Sequence, residues 1–127
     1  MIIPDDLQRS AHRSGYEYAW QRADALAVVE HLVAADLAIL GGEVWLVGRG
    51  GLLAIIPQRE GAPAVEHWTC ERHLEEPWLS YVARSAAEAR IAIQQIPDFS
   101  SAQIPTDYTV HYNLTWEPDA VAEIDAV

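Results

Sequence analysis

The chain contains no lysine. Its eight cations are all arginines, set against nineteen acids, for a formal net charge of −11. A duplex-binding surface needs clustered cations to displace the counterions of the phosphates. Eight scattered arginines do not supply one, so direct nucleic-acid binding is not expected. Cysteine is nearly as scarce: Cys70 stands alone, which excludes an intramolecular disulfide and a four-cysteine zinc site. Long apolar runs are missing too. No run, residues 37–40 with their two glycines included, comes near the ~20 residues that a membrane span needs. The opening Met1-Ile2-Ile3-Pro4-Asp5-Asp6 has no basic stretch followed by an apolar one. No secretion signal is visible, and a cytoplasmic protein without a membrane partner is expected.

What is present is enough for a folded core. Half of the 127 residues are hydrophobic, and the mean hydropathy is −0.03. That is the size of one domain, so residues 1–127 are read as a single unit. The charge is uneven. Residues 1–60 hold eight acids and five arginines, and residues 61–127 hold eleven acids and three arginines. Such a surplus of acid keeps a protein soluble; it also suits a basic protein partner.

Along the chain, residues 1–13 show no clear period and read as an entry segment. Ser14 and Glu17 have the spacing of a capping box. Ala19, Trp20, Ala23, Leu26, Ala27 and Val33 follow a helical period, which predicts one helix over residues 16–35. Strands are predicted over 37–40 and 43–47, with Gly41-Gly42 between them as either a tight hairpin or a bulge in one longer strand. Gly48-Arg49-Gly50-Gly51 reads as a turn, 52–56 as a strand, 58–63 as a loop and 65–70 as a short strand. After the charged connection 71–76, Pro77 stands where a first helical residue is expected. Trp78, Val82, Ala86, Ala89, Ile93 and Ile96 line one face of a helix that Pro97 stops. A loop covers 98–106. Tyr108, Val110, Tyr112 and Leu114 alternate with polar residues in a half-buried strand over 107–116, and 117–127 is an acidic tail. This order differs from a regular βαβ alternation. It predicts an α+β domain: a small, mostly antiparallel sheet with two main helices packed on one face.

Candidate chemistry is sparse. His67, Cys70 and His73 have the spacing H-x2-C-x2-H, with Glu66 or Glu71 as a further donor. Steps of three diverge on a strand, however, so no metal or cofactor is expected. Acids around Cys70 raise a thiol pKa rather than lower it. Ser85 falls on a helix's core face, where a small residue for close packing is the plainer reading than a nucleophile. The glycine-rich turn at Gly48 lacks the lysine and hydroxyl of a phosphate loop. Glu75-Glu76 diverge in direction and read as a solvated face rather than an acid–base pair. Trp68 is the tryptophan set apart, flanked by Glu66, His67 and Glu71 without a sustained apolar face. It is either a binding hot spot or a core anchor pinning a long loop.

Several of these pieces together resemble the bacterial immunity protein 40 family. They are Ala19-Trp20 leading through Ala25-Leu26, the stretch Ile39-Leu40-Gly41-Gly42-Glu43-Val44-Trp45, Trp68 in polar surroundings, and the helix 81–93 with Ser85 and Ala89. Glu43 stands where the family more usually has aspartate, and Arg90-Ile91 where it more usually has an aromatic–isoleucine pair. The resemblance implies a non-enzymatic protein of a polymorphic toxin system. Such a protein binds a cognate toxin domain and blocks it by stoichiometric occlusion. A basic toxin would suit the acidic chain. On that reading the toxin-binding residues are expected to be Glu43, Glu66, Trp68, Glu71, Glu75 and Glu76. Gly41, Gly42 and Trp45 form the structural motif. The competing reading is a small-molecule-binding, metal-binding or enzymatic α+β domain built on the His67/Cys70/His73 region.

Overall fold

In the computed structural model the residues described are 3–48, 51–53, 67–95 and 108–119, with backbone alone for 51–53. They form α1 (Asp5–Ser10), β1 (His12–Ser14), β2 (Glu17–Trp20), α2 (Arg22–Ala34), β3 (Ala38–Gly48), β4 (Gly51–Leu53), β5 (His67–Thr69), α3 (Trp78–Gln95) and β6 (Thr109–Glu117). The sheet order is β1-β2-β6-β3-β4, and every pairing is antiparallel. β3 is the long central strand. β6 takes one of its edges; on the other, β5 pairs with Gly41–Glu43 and β4 with Leu46–Gly48. Two main helices lie on one face, as the α+β reading expects. Val28, Val29 and Leu32 of α2 and Ala86, Ala89 and Ile93 of α3 bury against Ile39, Val44, Leu46, Tyr112 and Leu114 of the sheet.

The predicted helix over 16–35 starts too early. Residues 17–20 are strand β2, and α2 begins only at Arg22. Ser14 and Glu17 do not form a capping box; they face each other across a two-residue Gly15-Tyr16 turn. Gly15 has φ +61°, the left-handed conformation that the first residue of a tight hairpin turn favours in glycine. The reason is a partner far along the chain. Tyr18 pairs with Leu114 and Trp20 with Tyr112, so alternation rather than a helical period buries these rings. The entry segment is also folded. Asp5 and Asp6 open α1, where carboxylates favour a helix N-terminus, and Leu7 is buried. The Leu7 carbonyl accepts a 2.6 Å hydrogen bond from Nε1 of the buried Trp20.

Residues 37–40 and 43–47 belong to one strand, and Gly41-Gly42 lies inside it. Ile39 pairs with Trp116 but Gly41 with Thr115, so Leu40 is the extra residue of a bulge. The bulge switches the parity of the strand: Ile39 and Val44, five residues apart, both reach the helix-side core. Ser85 of α3 sits beside it, its hydroxyl accepting from the Ile39 N–H (2.9 Å) and donating to the Val82 carbonyl (2.9 Å). Glycine serves here for close approach. A Cβ on Gly41 would strike the Trp68 carbonyl and come within 3.0 Å of Thr69 Cα. One on Gly42 would strike the Asn113 carbonyl and lie 2.5 Å from Trp68 Cη2.

Of the predicted 65–70, β5 takes His67–Thr69 and ends before Cys70, residues 65 and 66 lying outside the described residues; α3 spans most of the predicted 78–96, and β6 runs to Glu117. Residues 54–56 of the predicted strand, the loops 58–63 and 98–106, Pro97 and the tail beyond 119 lie outside the described residues.

Candidate functional site

The sheet face away from α2 and α3 carries a hollow, and the register explains its shape. Two rows of side chains cross this face. Gly41 is level with Thr115 and Thr69; one step beyond the Tyr18–Leu114 pair, Glu17 is level with Thr115 as well. In the next row, Glu43 stands between His67 and Asn113, and Ala19 faces Asn113 from β2. Small residues (Gly41, Ala19 and the threonines) leave the middle low, and longer ones form the walls. The result is an open groove of about 340 Å³, walled by Glu17, Glu43 and His67, with Trp68 of β5 also at its lining though its ring packs on the helix-side core. A second hollow of about 160 Å³, at Tyr16, Tyr18, Leu114 and Trp116, shares Glu17 and Thr115 with it.

The site is held from beneath by polar contacts. Trp45, 1% exposed, donates from Nε1 to Glu43 Oε1 at 2.7 Å and packs edge-on to His12. Glu43 is thereby oriented along the groove. Thr115 Oγ1 donates to the Gly41 carbonyl (3.2 Å), and Asn113 Nδ2 to the Tyr18 carbonyl (2.9 Å). Neither Glu17 nor Glu43 meets a cation among the described residues. Trp68 is half-buried; its indole lies over Gly42 and packs against the main core, so part of it is an anchor. Its Nε1 is buried without an acceptor among the described residues. An orphaned donor of this kind costs about 1–3 kcal/mol.

The other expected binding acids are divided. Glu66 lies outside the described residues. Glu71 and Glu75 are exposed on the connection between β5 and α3, Glu75 with a positive φ of 63°. Glu76 is engaged within the chain. Arg84 donates to both its oxygens (2.7 and 2.9 Å), to the Glu71 carbonyl (2.6 Å) and to Cys70 Sγ (3.3 Å). The His73 N–H adds a bond of 3.0 Å. The Arg84 hydrogen bond holds the Glu76 carboxyl well below the usual carboxylate range, at about 2.

The groups weighed for other chemistry do not converge. His67 and His73 are exposed while Cys70 is buried, and among the described residues no three His, Cys, Asp or Glu side chains come together as a ligand set. Burial, with the nearby Glu88 adding to it, pushes the Cys70 thiol up to about 11. Both hydrogen-bonding roles of the Ser85 hydroxyl are taken by backbone groups.

Sequence reading missed Tyr16, Glu17, Asn113 and Thr115. The signal available was Ser14-Gly15-Tyr16-Glu17, where a glycine opens a two-residue turn between β-prone segments. Among the described residues no helix is long and apolar enough to cross a membrane.

No curated protein and no solved structure matches this sequence. The sequence model of the family described as Immunity protein 40 matches residues 7–110. That span takes in the end of α1, the whole central strand with its bulge and glycine pair, Trp68, α3 and the start of β6. This chain belongs to the immunity protein 40 family.

Proposed function

We propose that this chain is the immunity partner of a polymorphic toxin: it binds a cognate, basic toxin domain inside the producing bacterial cell and neutralises it by stoichiometric occlusion. The observation that carries the reading, beside family membership, is the acid-walled groove, in which Glu43 accepts from Trp45 and meets no cation among the described residues. A net charge of −11 complements a basic partner and speeds encounter. The chain acts as a binder rather than a catalyst. That view is supported by a thiol that burial keeps protonated and a serine hydroxyl engaged by backbone. The binding surface takes in Glu43, Trp68, and Glu71 and Glu75 on the connection; Glu66, which lies outside the described residues, is proposed to belong to it as well. Trp68 contributes the apolar area that it leaves exposed, and Glu76 shapes the connection through Arg84.

The test is kinetic. The C-terminal domain of a toxin encoded beside this chain's gene is purified, and its binding is followed at several salt concentrations. Replacing Glu43, Glu71 and Glu75 with glutamine is expected to slow association and flatten its salt dependence. A wild-type chain that neither binds nor inhibits that toxin overturns the function. Unchanged association in the triple variant overturns the surface.

A further inference from the structure

The most exposed large side chain among the described residues is one that the fold does not use. Tyr16, at 101% exposure, stands at the tip of the β1–β2 hairpin. It is not on a loose loop. The turn has only two residues, and both its strands are paired, β2 on to β6. A tyrosine held out on so short a turn presents a large amphipathic surface at low entropic cost on binding. Glu17, the residue that follows it, lines both hollows. Across the larger one stands Glu43, and neither carboxylate has a cation among the described residues. Two other acids differ: Glu76 is paired with Arg84, and Glu30 with Arg90 at 2.7 Å.

We propose that the β1–β2 hairpin tip is the toxin's anchor point. Tyr16 is buried by the toxin, and an arginine of the same toxin segment enters the groove between Glu17 and Glu43. The occupant follows from the walls. Two carboxylates favour a cation, a planar guanidinium can donate to both at once, and the glycine and threonine floor leaves room for a long side chain. A groove of about 340 Å³ open to solvent is at the lower edge of the ~300–1,000 Å³ of small-molecule sites, which fits one inserted side chain better than a cofactor. This inference rests on the proposed function and deepens it. It adds an aromatic anchor, and it moves the centre of the surface from the acidic connection to the hairpin.

Two measurements on the full chain test it. The first uses the purified toxin domain. Tyr16→Ala removes a side chain with no role in the fold, so its melt should match the wild type. Its Kd is expected to rise about tenfold or more, mostly through faster dissociation. A rise below tenfold overturns the anchor. The second needs no toxin. N-acetyl-arginine amide is titrated into labelled protein, with N-acetyl-citrulline amide, of the same shape without the charge, as control. Saturable shifts are expected at the amides of Gly41, Gly42, Thr69 and Asn113 with the arginine compound alone, and are lost in Glu43→Gln. Equal shifts with citrulline, no saturable shifts, or shifts spread over all the acidic surface overturn the occupant. A wild-type chain that fails to bind the toxin overturns the proposed function and the Tyr16 anchor with it. The arginine titration decides the groove by itself.

Discussion

Gly41 and Gly42 are held to glycine by different neighbours. At Gly41 the obstacle is the backbone of β5, and at Gly42 it is the Asn113 carbonyl together with the Trp68 ring. Backbone of a paired strand cannot step aside cheaply. Gly41→Ala and Gly42→Ala are each expected to cost about 2 kcal/mol or more in urea melts. Gly15 is a different case: nothing lies within 4 Å of its Cβ position, and only the φ of +61° resists a side chain. Gly15→Ala should cost about 1 kcal/mol, so equal losses at all three positions would contradict the close-approach account. His111 supplies a pH signature. It is 8% exposed, and burial pushes its imidazole below the usual 6.5, with His12 adding a smaller effect in the same direction. The unfolded chain takes up this proton near pH 6.5, and the folded chain resists it until lower pH. Stability from the neutral ring is therefore complete above about 6.5 and lost as pH falls towards the folded value. Thermal melts between pH 7.5 and 5 should show this loss, and His111→Gln should reduce it.

At the scale of elements, the connection from β5 to α3 is pinned from the helix side. Arg84 gathers Cys70, Glu71 and Glu76, and Arg72 Nε donates to the Glu76 carbonyl at 2.9 Å while lying over the Trp78 ring. The Glu76 carboxyl is expected to titrate near about 2 by NMR. A depressed carboxyl pKa contributes stability above the ordinary value of 4.5, lost as pH falls through the folded one. This loss sets in only below 4.5, whereas that of His111 sets in at 6.5. Arg84→Gln should return the Glu76 midpoint towards 4.5 and speed amide exchange over residues 70–76. An unmoved midpoint would show that Arg84 does not hold the connection. The bulge in β3 is secured from the same helix by Ser85, which accepts the Ile39 N–H.

For the whole molecule, nineteen acids against eight arginines mean that the folded chain repels itself. Raising ionic strength shortens the reach of that repulsion to roughly 10 Å at 0.1 M. Tm should therefore rise with added sodium chloride, while affinity for a basic toxin falls over the same range. Salt acting in the same direction on both would contradict the role given to net charge. The uneven distribution matters less than it looks in the sequence. One acid from the poorer first half, Glu43, stands in the groove without a cation among the described residues, and one from the richer second half, Glu76, is used up by Arg84.

Local pattern was enough for α3, whose buried Val82, Ala86, Ala89 and Ile93 follow the helical period, and for β6, whose Tyr112 and Leu114 alternate inward. With them came the α+β class and the place of Gly41-Gly42 between β-prone runs. These features depend on residues a few positions apart. Whether residues 17–20 continue a helix or form a strand depends on Leu114 and Tyr112, more than ninety positions away. Gly41-Gly42 is compatible with a hairpin or a bulge until β5 and β6 pair with it. The groove is a matter of register alone: Glu17, Glu43 and His67 become neighbours because three antiparallel pairings align them. One inserted residue, Leu40, resets which side chains of β3 face the helices and which face the groove. Strand side chains alternate with a period of two, so such a shift reverses every face beyond it. Only the paired sheet selects it, by burying Val44 and Leu46 and leaving Glu43 at the groove.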